Sequence, residues 1–140
     1  MTIGAILKGR EGQVISIGPG ARVSEAIALL AEKRIGALPV LEGGKVLGVF
    51  SERDVIYCLA SAGAAALDKP VSEVMTAPAQ AVSPNQGVLA ALSLMTQRRF
   101  RHLPVVEGDS LVGFVSIGDL VKYRIDKIEA EAAAMREYIQ

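Results

Sequence analysis

Apolar residues along this chain follow two spacings, one typical of helices and one typical of short strands. Val23, Ala26, Ile27 and Leu30 lie at positions i, i+3, i+4 and i+7. This spacing places the four side chains on one face of a helix, so it predicts an amphipathic helix that runs to about Arg34.

Short apolar runs flank this helix and predict strands. Residues 13–17 form the first run, and a Gly-Pro-Gly turn follows it. Residues 38–41 and 46–50 form two further runs, joined by a Gly-Gly turn of the kind that closes hairpins. A second helix is predicted from about Ser51, so the order of elements is β-α-β-β-α.

The same order occurs a second time, because residues 15–55 align without a gap with residues 80–120. The repeated positions include Pro19/Pro84, Arg34/Arg99, Leu38-Pro39-Val40/Leu103-Pro104-Val105, Gly48/Gly113, Ser51/Ser116 and Asp54/Asp119. An internal repeat indicates one structural unit used twice. We therefore predict an α+β fold in which two β-α-β-β-α repeats pack by their sheets about a pseudo-two-fold axis, with residues 1–68 and 69–140 as the two domains.

Two segments lie outside the repeated unit. Residues 70–75 resemble a single helical turn, and the last helix runs far beyond Asp119. Along that helix, apolar residues recur at spacings of 4, 3, 4, 3 and 4: Val121, Ile125, Ile128, Ala132, Met135 and Ile139. Such a heptad stripe favours a homodimer through the C-terminal helix, although the stripe could also cover the core of its own chain.

Composition narrows the possible functions. Each half of the 140-residue chain would be marginal alone, so we expect the halves to share a core. Basic and acidic residues balance at fifteen each and aromatics make up 4%, which argues against nucleic acid and an anionic membrane as partners. A single cysteine excludes a disulfide framework, and neither a signal peptide nor an apolar span is evident. We expect a soluble cytoplasmic protein.

The strongest candidate for chemistry is Ser51-Glu52-Arg53-Asp54, repeated as Ser116-Ile117-Gly118-Asp119. A Ser followed three residues later by Asp at the start of a helix is typical of a capping box. The same position also suits a ligand, because a helix N-terminus attracts phosphate and an Asp can accept from a ribose diol. The recurrence of the whole setting favours ligand binding.

The chain resembles two cystathionine-β-synthase-type (CBS) domains in tandem. Such a pair is called a Bateman module, and the resemblance is to its stand-alone bacterial form. The resemblance covers residues 14–122. It rests on five motifs: residues 36–40, residues 46–54, Val74-Met75-Thr76, residues 100–105 and residues 111–119.

The resemblance implies adenosine-ligand clefts between the repeats, with Ser on the phosphate side and Asp on the ribose. It implies that residues just before and within each Leu-Pro-Val line a cleft, namely Ile35, Gly36, Ala37, Leu38 and Pro39, and Phe100, Arg101, His102, Leu103 and Pro104. It also implies that two segments edge the base, Val14-Ile15-Ser16 and Ala79-Gln80-Ala81. AMP, ADP or ATP are the implied ligands, with NAD as an alternative, and no metal is expected.

The two clefts are not equivalent in sequence. The second repeat has Arg101 and His102 where the first has Gly36 and Ala37, and Arg53 corresponds to Gly118. If the axis brings the cationic groups together, one cleft binds nucleotide strongly and the other weakly or with different selectivity.

We therefore expect a regulatory nucleotide sensor that is not an enzyme and acts on an unknown partner protein. Two other functions stay open. One is a purely structural dimerisation module whose Ser/Asp pairs only cap helices. The other is a nucleotide-processing enzyme, for which one His and one Cys offer few catalytic groups.

Overall fold

A computed structural model describes residues 1–10 and 14–139 of the chain. Gln13, which the sequence assigned to the first strand, lies outside the described residues. The helices are α1 (Ile3–Lys8), α2 (Val23–Lys33), α3 (Glu52–Ala62), α4 (Val71–Val74), α5 (Val88–Arg98) and α6 (Ile117–Ile139), and a 3-10 helix spans Gly63–Asp68. The strands are β1 (Ala37–Glu42), β2 (Lys45–Ser51), β3 (His102–Glu107) and β4 (Ser110–Ser116).

Two antiparallel hairpins form the centre of the structure. In β1–β2, Ala37 lies opposite Ser51, and in β3–β4, His102 lies opposite Ser116. The hairpins meet edge to edge in the order β1-β2-β4-β3, where Lys45 pairs with Ser110. The predicted α+β fold of two related units with a long C-terminal helix is confirmed.

The first predicted strand of each repeat is shorter than its apolar run suggested. In the described residues it forms one parallel bridge, between Ile17 and Val40 in the first copy and between Val82 and Val105 in the second. The backbone N–H of Ile17 donates to the Pro39 carbonyl at 3.1 Å. These bridges still fix the segment beside β1 or β3, which is the position the repeat requires.

A short helix from outside each repeat completes its fold. The backbone N–H of Gly4 in α1 donates to the Pro84 carbonyl at 2.8 Å, so α1 packs on the second copy. The N–H of Ser72 in α4 donates to the Pro19 carbonyl at 3.1 Å, so α4 packs on the first copy. The predicted division into residues 1–68 and 69–140 follows the repeats but not this packing, because each end segment lies on the other copy.

Buried apolar side chains form two clusters, one for each copy. The first contains Val23, Ala26, Leu30, Leu38, Val40, Phe50, Cys58, Ala66 and Val71. The second contains Ile3, Val82, Val88, Ala91, Met95, Leu103, Val105, Val115 and Leu120. The expectation of one shared core is therefore wrong: each copy buries its own helix and hairpin, and the short helix from elsewhere supplies the missing apolar surface.

Helices α2 and α5 end in the same unusual way. Arg34 and Arg99 follow them with φ of 54° and 59°, in the left-handed region that non-glycine residues rarely adopt. This turn ends the helix and directs the following residues towards β1 or β3. It therefore places the residues that precede Leu38 and Leu103 between the two copies.

The C-terminal helix extends well beyond the core. Leu120 is fully buried, whereas the apolar residues after it are exposed: Val121, Ile125, Ile128, Met135 and Ile139. The stripe that the sequence predicted thus does not cover the core of its own chain. Among the described residues, no helix is both long and apolar enough to cross a membrane.

Candidate functional site

Two cavities lie between the copies, and each uses residues from both. The first cleft, of about 520 Å³, joins the start of α3 to residues 79–80 and 99–102 of the second copy. The second cleft, of about 440 Å³, joins Ser116 and Asp119 to residues 14–15, Ile35 and Ala37 of the first copy. The pseudo-two-fold arrangement therefore exchanges segments, so that each Ser/Asp pair faces the strand entry of the other repeat.

In the first cleft, Asp54 caps helix α3. Its Oδ2 accepts from the backbone N–H of Ser51 at 2.8 Å and from the Ser51 hydroxyl at 3.1 Å. Its Oδ1 accepts from the hydroxyl of Thr76 at 2.9 Å. Asp54 is only 7% exposed, so this carboxylate is buried among donors that stabilise it.

Thr76 reaches Asp54 because its backbone pairs with strand β2. The N–H of Thr76 donates to the Val49 carbonyl at 2.9 Å, and the N–H of Val49 donates to the Thr76 carbonyl at 3.0 Å. This bridge lies directly over Gly48, where an added Cβ would come within 2.6 Å of the Thr76 carbonyl oxygen. Glycine is thus required at Gly48 for the linker to approach the strand.

In the second cleft, Ser116 and Asp119 form a reciprocal capping box. The N–H of Ser116 donates to Asp119 Oδ2 at 2.7 Å, and the N–H of Asp119 donates to the Ser116 hydroxyl at 3.1 Å. The other carboxylate oxygen pairs with Arg10 Nη2 at 2.8 Å. Burial alone would raise the pKa of Asp119, but the bonds from Arg10 and Ser116 outweigh it, and its pKa lies below the ordinary value.

Positive charge is concentrated in the first cleft. Arg53, Arg99 and Arg101 line it beside the carboxylates of Glu52 and Asp54. Among the residues that the structure describes, the charged groups that line the second cleft are Arg10 and the carboxylate of Asp119. The cationic groups therefore lie together in one cleft, as the sequence analysis expected. This arrangement suits an anionic ligand in the first cleft.

Backbone hydrogen bonds fix the segments that carry the arginines of the first cleft, and one of them also holds the side chain of Arg53. Arg53 Nη1 donates to the Arg99 carbonyl at 3.2 Å across the boundary between the copies. The carbonyl of Arg101 accepts from the N–H of Ile117 at 2.8 Å, and the carbonyl of Gly36 likewise accepts from the N–H of Glu52 at 3.0 Å. These bonds fix the entries of β1 and β3 against the starts of α3 and α6.

His102 lies between the two clefts and lines both of them. Its ring stacks on Phe114, with centroids 5.6 Å apart and an angle of 12° between the planes. Burial lowers the pKa of His102 below 6.5; Asp119 and Glu52 act in the opposite direction, and Arg101 lowers it further. His102 is therefore mainly neutral at pH 7, and an approaching anion would favour its protonated form.

The structure places most of the predicted site residues on a cleft. The predicted residues that line the first cleft are Ser51, Glu52, Arg53, Asp54, Ala79, Gln80, Phe100, Arg101 and His102. Those that line the second are Val14, Ile15, Ile35, Ala37, His102, Ser116 and Asp119. The predicted residues outside both linings are Ser16, Gly36, Leu38, Pro39, Ala81, Leu103, Pro104, Ile117 and Gly118.

Three of the predicted residues outside the linings, Gly36, Leu38 and Leu103, lie behind the walls of the clefts. Leu38 and Leu103 are completely buried in the two core clusters, so their side chains anchor the hairpins and do not face a cleft. Gly36 lies just behind the wall, because a Cβ there would be 3.2 Å from Glu52 Oε1 and 3.4 Å from His102 Cε1. Each Leu-Pro-Val positions the residues before it, and of these Ala37, Arg101 and His102 line the clefts.

Several lining residues were not predicted. They are Val49, Ile56, Tyr57, Thr76 and Arg99 in the first cleft, and Leu7, Arg10, Val112, Gly113 and Phe114 in the second. Thr76 had a signal, because it belongs to the motif Val74-Met75-Thr76. Arg10 had none, because no pattern in the sequence links it to a carboxylate 109 residues away. In the parts of the chain that the structure describes, no group of three or more His, Cys, Asp or Glu residues could hold a metal ion.

Paired clefts between two copies of one unit, each with a capped helix N-terminus, define a tandem-repeat fold. Comparison with known proteins gives the family. The model of the CBS domain matches twice, over residues 10–61 and 71–126. The chain therefore belongs to the CBS domain family and contains two CBS domains in tandem, as the resemblance had implied.

Relatives and solved structures agree with this assignment. The chain is 34% identical over 121 residues to the CBS domain-containing protein YhcV of Bacillus subtilis, a match that covers 86% of each protein. Its fold is similar to that of the CBS-domain containing protein ATU1752 from Agrobacterium tumefaciens, with a TM-score of 0.83, 38% identity and coverage of 88% and 92%. CBSX2 in complex with AMP is also similar, with a TM-score of 0.76, 26% identity and coverage of 89% and 96%.

Proposed function

We propose that this chain is a regulatory module, not an enzyme, that binds AMP, ADP or ATP, or alternatively NAD, between its two CBS domains. One observation carries the proposal: the first cleft brings the Ser51/Asp54 pair of one copy together with Arg101 and His102 of the other. A ligand held there contacts both copies at once. The complex of CBSX2 with AMP supports an adenosine ligand.

The first cleft offers a partner for each part of a nucleotide. Asp54 and the hydroxyl of Thr76 are next to each other and supply acceptors for a ribose diol. Arg53, Arg99 and Arg101 supply charge-assisted donors for phosphate oxygens. The cavity volume of about 520 Å³ lies within the range of small-molecule sites, roughly 300–1,000 Å³.

Apolar side chains also line the first cleft. They are Val49, Ile56, Tyr57 and Phe100, and Ile56 and Tyr57 are 65% and 64% exposed. A purine ring is flat and largely apolar on its faces, so it suits such a surface. We propose that the base lies between these residues and the Ala79-Gln80 segment.

Signalling follows from the position of the cleft. A ligand in it links α3 of the first copy to the entry of β3 in the second copy. Only a difference in affinity between two arrangements of the copies can shift their balance. The phosphate end, which bridges Arg53 and Arg101, is the part of the ligand that differs among AMP, ADP and ATP, so it is the part that selects one arrangement.

We also propose that the exposed stripe on α6 mediates a homodimer. Its apolar residues after Leu120 are 42% to 77% exposed, including Val121, Ile125, Met135 and Ile139. A heptad stripe on a helix that projects beyond the core is typical of helix pairing. The regulated partner protein and the cytoplasmic location stay predictions from the sequence.

One observation favours a structural role as the second candidate. Both Ser/Asp pairs form the caps that stabilise helices, and Asp54 already accepts three hydrogen bonds. A module in which these carboxylates act only as caps would fold and dimerise without a ligand. The two candidates differ in whether the clefts bind nucleotide.

Calorimetric titration with AMP, ADP, ATP and NAD distinguishes them. If the chain is a nucleotide sensor, we expect the titrations to show nucleotide binding. Asp54→Ala and Asp119→Ala should each weaken a different binding event, because each carboxylate lies in its own cleft. Asp126→Ala is the matched control, since it removes a carboxylate from an exposed ion pair with Lys122 on α6. Heats of binding absent for all four ligands would contradict the proposal and favour the structural role, whereas turnover abolished by Asp54→Ala would show an enzyme.

A further inference from the structure

The guanidinium of Arg10 contacts the carboxylate of the second cleft. It follows helix α1, which packs on the second copy, and its guanidinium bridges two acceptors. Nη1 donates to the Phe114 carbonyl at 2.9 Å, and Nη2 pairs with Asp119 Oδ1 at 2.8 Å. Arg10 also lines the cavity itself, so any ligand in that cleft meets its guanidinium.

The first cleft has the same two acceptors, but a different residue holds them. Val49 and Asp54 are the counterparts of Phe114 and Asp119 in the repeat. The Val49 carbonyl accepts from the backbone N–H of Thr76 at 2.9 Å, and Asp54 Oδ1 accepts from the Thr76 hydroxyl at 2.9 Å. The guanidinium of Arg10 thus takes over both donor positions of Thr76.

The two donors differ in what they leave for a ribose. A hydroxyl both donates and accepts, so Thr76 can hold Asp54 and still accept a hydrogen bond from a ribose hydroxyl. A guanidinium only donates, so Arg10 competes with ribose hydroxyls for the oxygens of Asp119. Asp119 is otherwise the more accessible carboxylate, because it is partly exposed whereas Asp54 is buried.

We infer that Arg10 is a specificity-determining residue of the second cleft, where it competes with the ribose of an adenosine ligand for Asp119. The inference rests on the proposed function, since it needs ligands that bind through ribose. A ligand enters the second cleft fully only when the guanidinium leaves Asp119 Oδ1. The second cleft is therefore the weaker of the two for adenosine compounds, independently of its lower positive charge.

The test uses adenosine, which has no phosphate, so that the charge of Arg10 adds no attraction for an anion. Labelled isoleucine methyl groups observed by NMR report each cleft separately, because Ile56 lines the first and Ile15 and Ile35 line the second. The ion pair is partly exposed, so we expect Arg10→Ala to lower the titration midpoint of Ile15 and Ile35 by about two- to fivefold. The midpoint of Ile56 should not change.

Two further variants make the outcome decisive. Lys8→Ala removes a cation from the last turn of α1 and should leave both midpoints unchanged. Arg10→Gln keeps a donor for the Phe114 carbonyl and adds an acceptor, so it should also raise the affinity of the second cleft for adenosine. This variant keeps the inference testable if Arg10→Ala loosens α1. Unchanged or weaker binding at Ile15 and Ile35 in both Arg10 variants, with normal binding at Ile56, would overturn this inference alone. Shifts absent from both clefts would overturn the proposed function and this inference with it.

Discussion

The two clefts are built from the same repeated segments, yet the carboxylate at the centre of each is held differently. In the first cleft a neutral hydroxyl from Thr76 reaches Asp54, and the cations come from Arg53, Arg99 and Arg101. In the second cleft the lining arginine, Arg10, is already paired with the carboxylate of Asp119. A duplicated fold can therefore keep its backbone geometry and still offer two ligand environments, because a few side chains decide the charge.

The segments that cover the two clefts also differ in the atoms that they place against the strands. Over Gly48 lies backbone, the Thr76 carbonyl, at 2.6 Å from an added Cβ. Over Gly113 lies a side chain, because the nearest atom to an added Cβ is Leu7 Cδ2 at 2.6 Å. A flexible leucine can move aside, whereas a backbone bridge can do so only by breaking its hydrogen bonds.

The largest expected effect comes from this pair of glycines. Gly48→Ala should lower the free energy of unfolding by about 2–3 kcal/mol, because overpacking against backbone forces the chain to shift. Gly113→Ala should cost only about 1 kcal/mol or less, because the Leu7 side chain can change rotamer. Urea unfolding of both variants checks the order, and equal losses would show that the two covering segments are equally rigid.

Arg101 is expected to give the next largest effect, on binding in the first cleft. Hydrogen bonds to charged groups contribute about 1.5–3 kcal/mol, so Arg101→Ala should weaken AMP binding by at least about tenfold. Adenosine, which has no phosphate, should bind nearly as before. Arg98→Ala, at the exposed end of α5 and outside both cleft linings, is the matched control in the same calorimetric titration. An equal loss for adenosine would assign Arg101 to the base or ribose instead.

Thr76→Val is expected to have a smaller effect on the first cleft. The change removes the hydroxyl that donates to Asp54 Oδ1 and keeps a similar shape, so unfolding should become easier by about 1 kcal/mol. Thr96→Val is the control, because the Thr96 hydroxyl donates to the Leu92 carbonyl within an exposed turn of α5. Thermal unfolding of both variants measures the difference. Equal small effects would mean that Asp54 gains nothing from Thr76.

The smallest expected effect is a pH dependence that comes from His102, the residue shared by the clefts. Burial lowers the pKa of His102 in the folded chain below 6.5. Between the two pKa values the unfolded chain binds more protons, so the free energy of unfolding should fall as pH falls from 6.5 through the folded pKa. His102→Ala, which installs the residue of the equivalent position Ala37, should remove this part of the pH profile measured by urea unfolding.

The same titration gives His102 a link to the ligand. A phosphate next to Arg101 favours the protonated imidazole, so AMP binding in the first cleft should take up protons near the pKa of His102. Calorimetry of AMP binding in buffers of different ionisation enthalpy measures that uptake. Proton uptake that is unchanged in His102→Ala would assign the effect to another group.

The repeat explains how much of this structure could be predicted from the sequence. Local spacing was enough for the hairpins, for helices α2, α3, α5 and α6, and for the two capping motifs at Ser51 and Ser116, because each depends on neighbouring residues. The family resemblance indicated most of the lining residues, since the axis places related segments together. Local patterns and the symmetry between the two repeats thus predict most of the fold.

The features that sequence reasoning missed are long-range. No periodicity shows that α1 packs on the second copy, because its six residues make one short apolar stretch. The pairing of Arg10 with Asp119 depends on that packing and was missed with it. The separation of the core into two clusters was also missed, because chain length alone cannot show how apolar residues are divided.

The crossed positions of α1 and α4 have a consequence for how this chain holds together. A fragment ending at residue 68 would expose the surface that Val71 buries, and a fragment starting at residue 69 would lack Ile3 over its own interior. Neither CBS domain is therefore self-sufficient as a linear stretch of polypeptide. The two domains should therefore unfold on heating as a single cooperative unit. Strain applied to one domain should be transmitted to the other domain through the covalent chain.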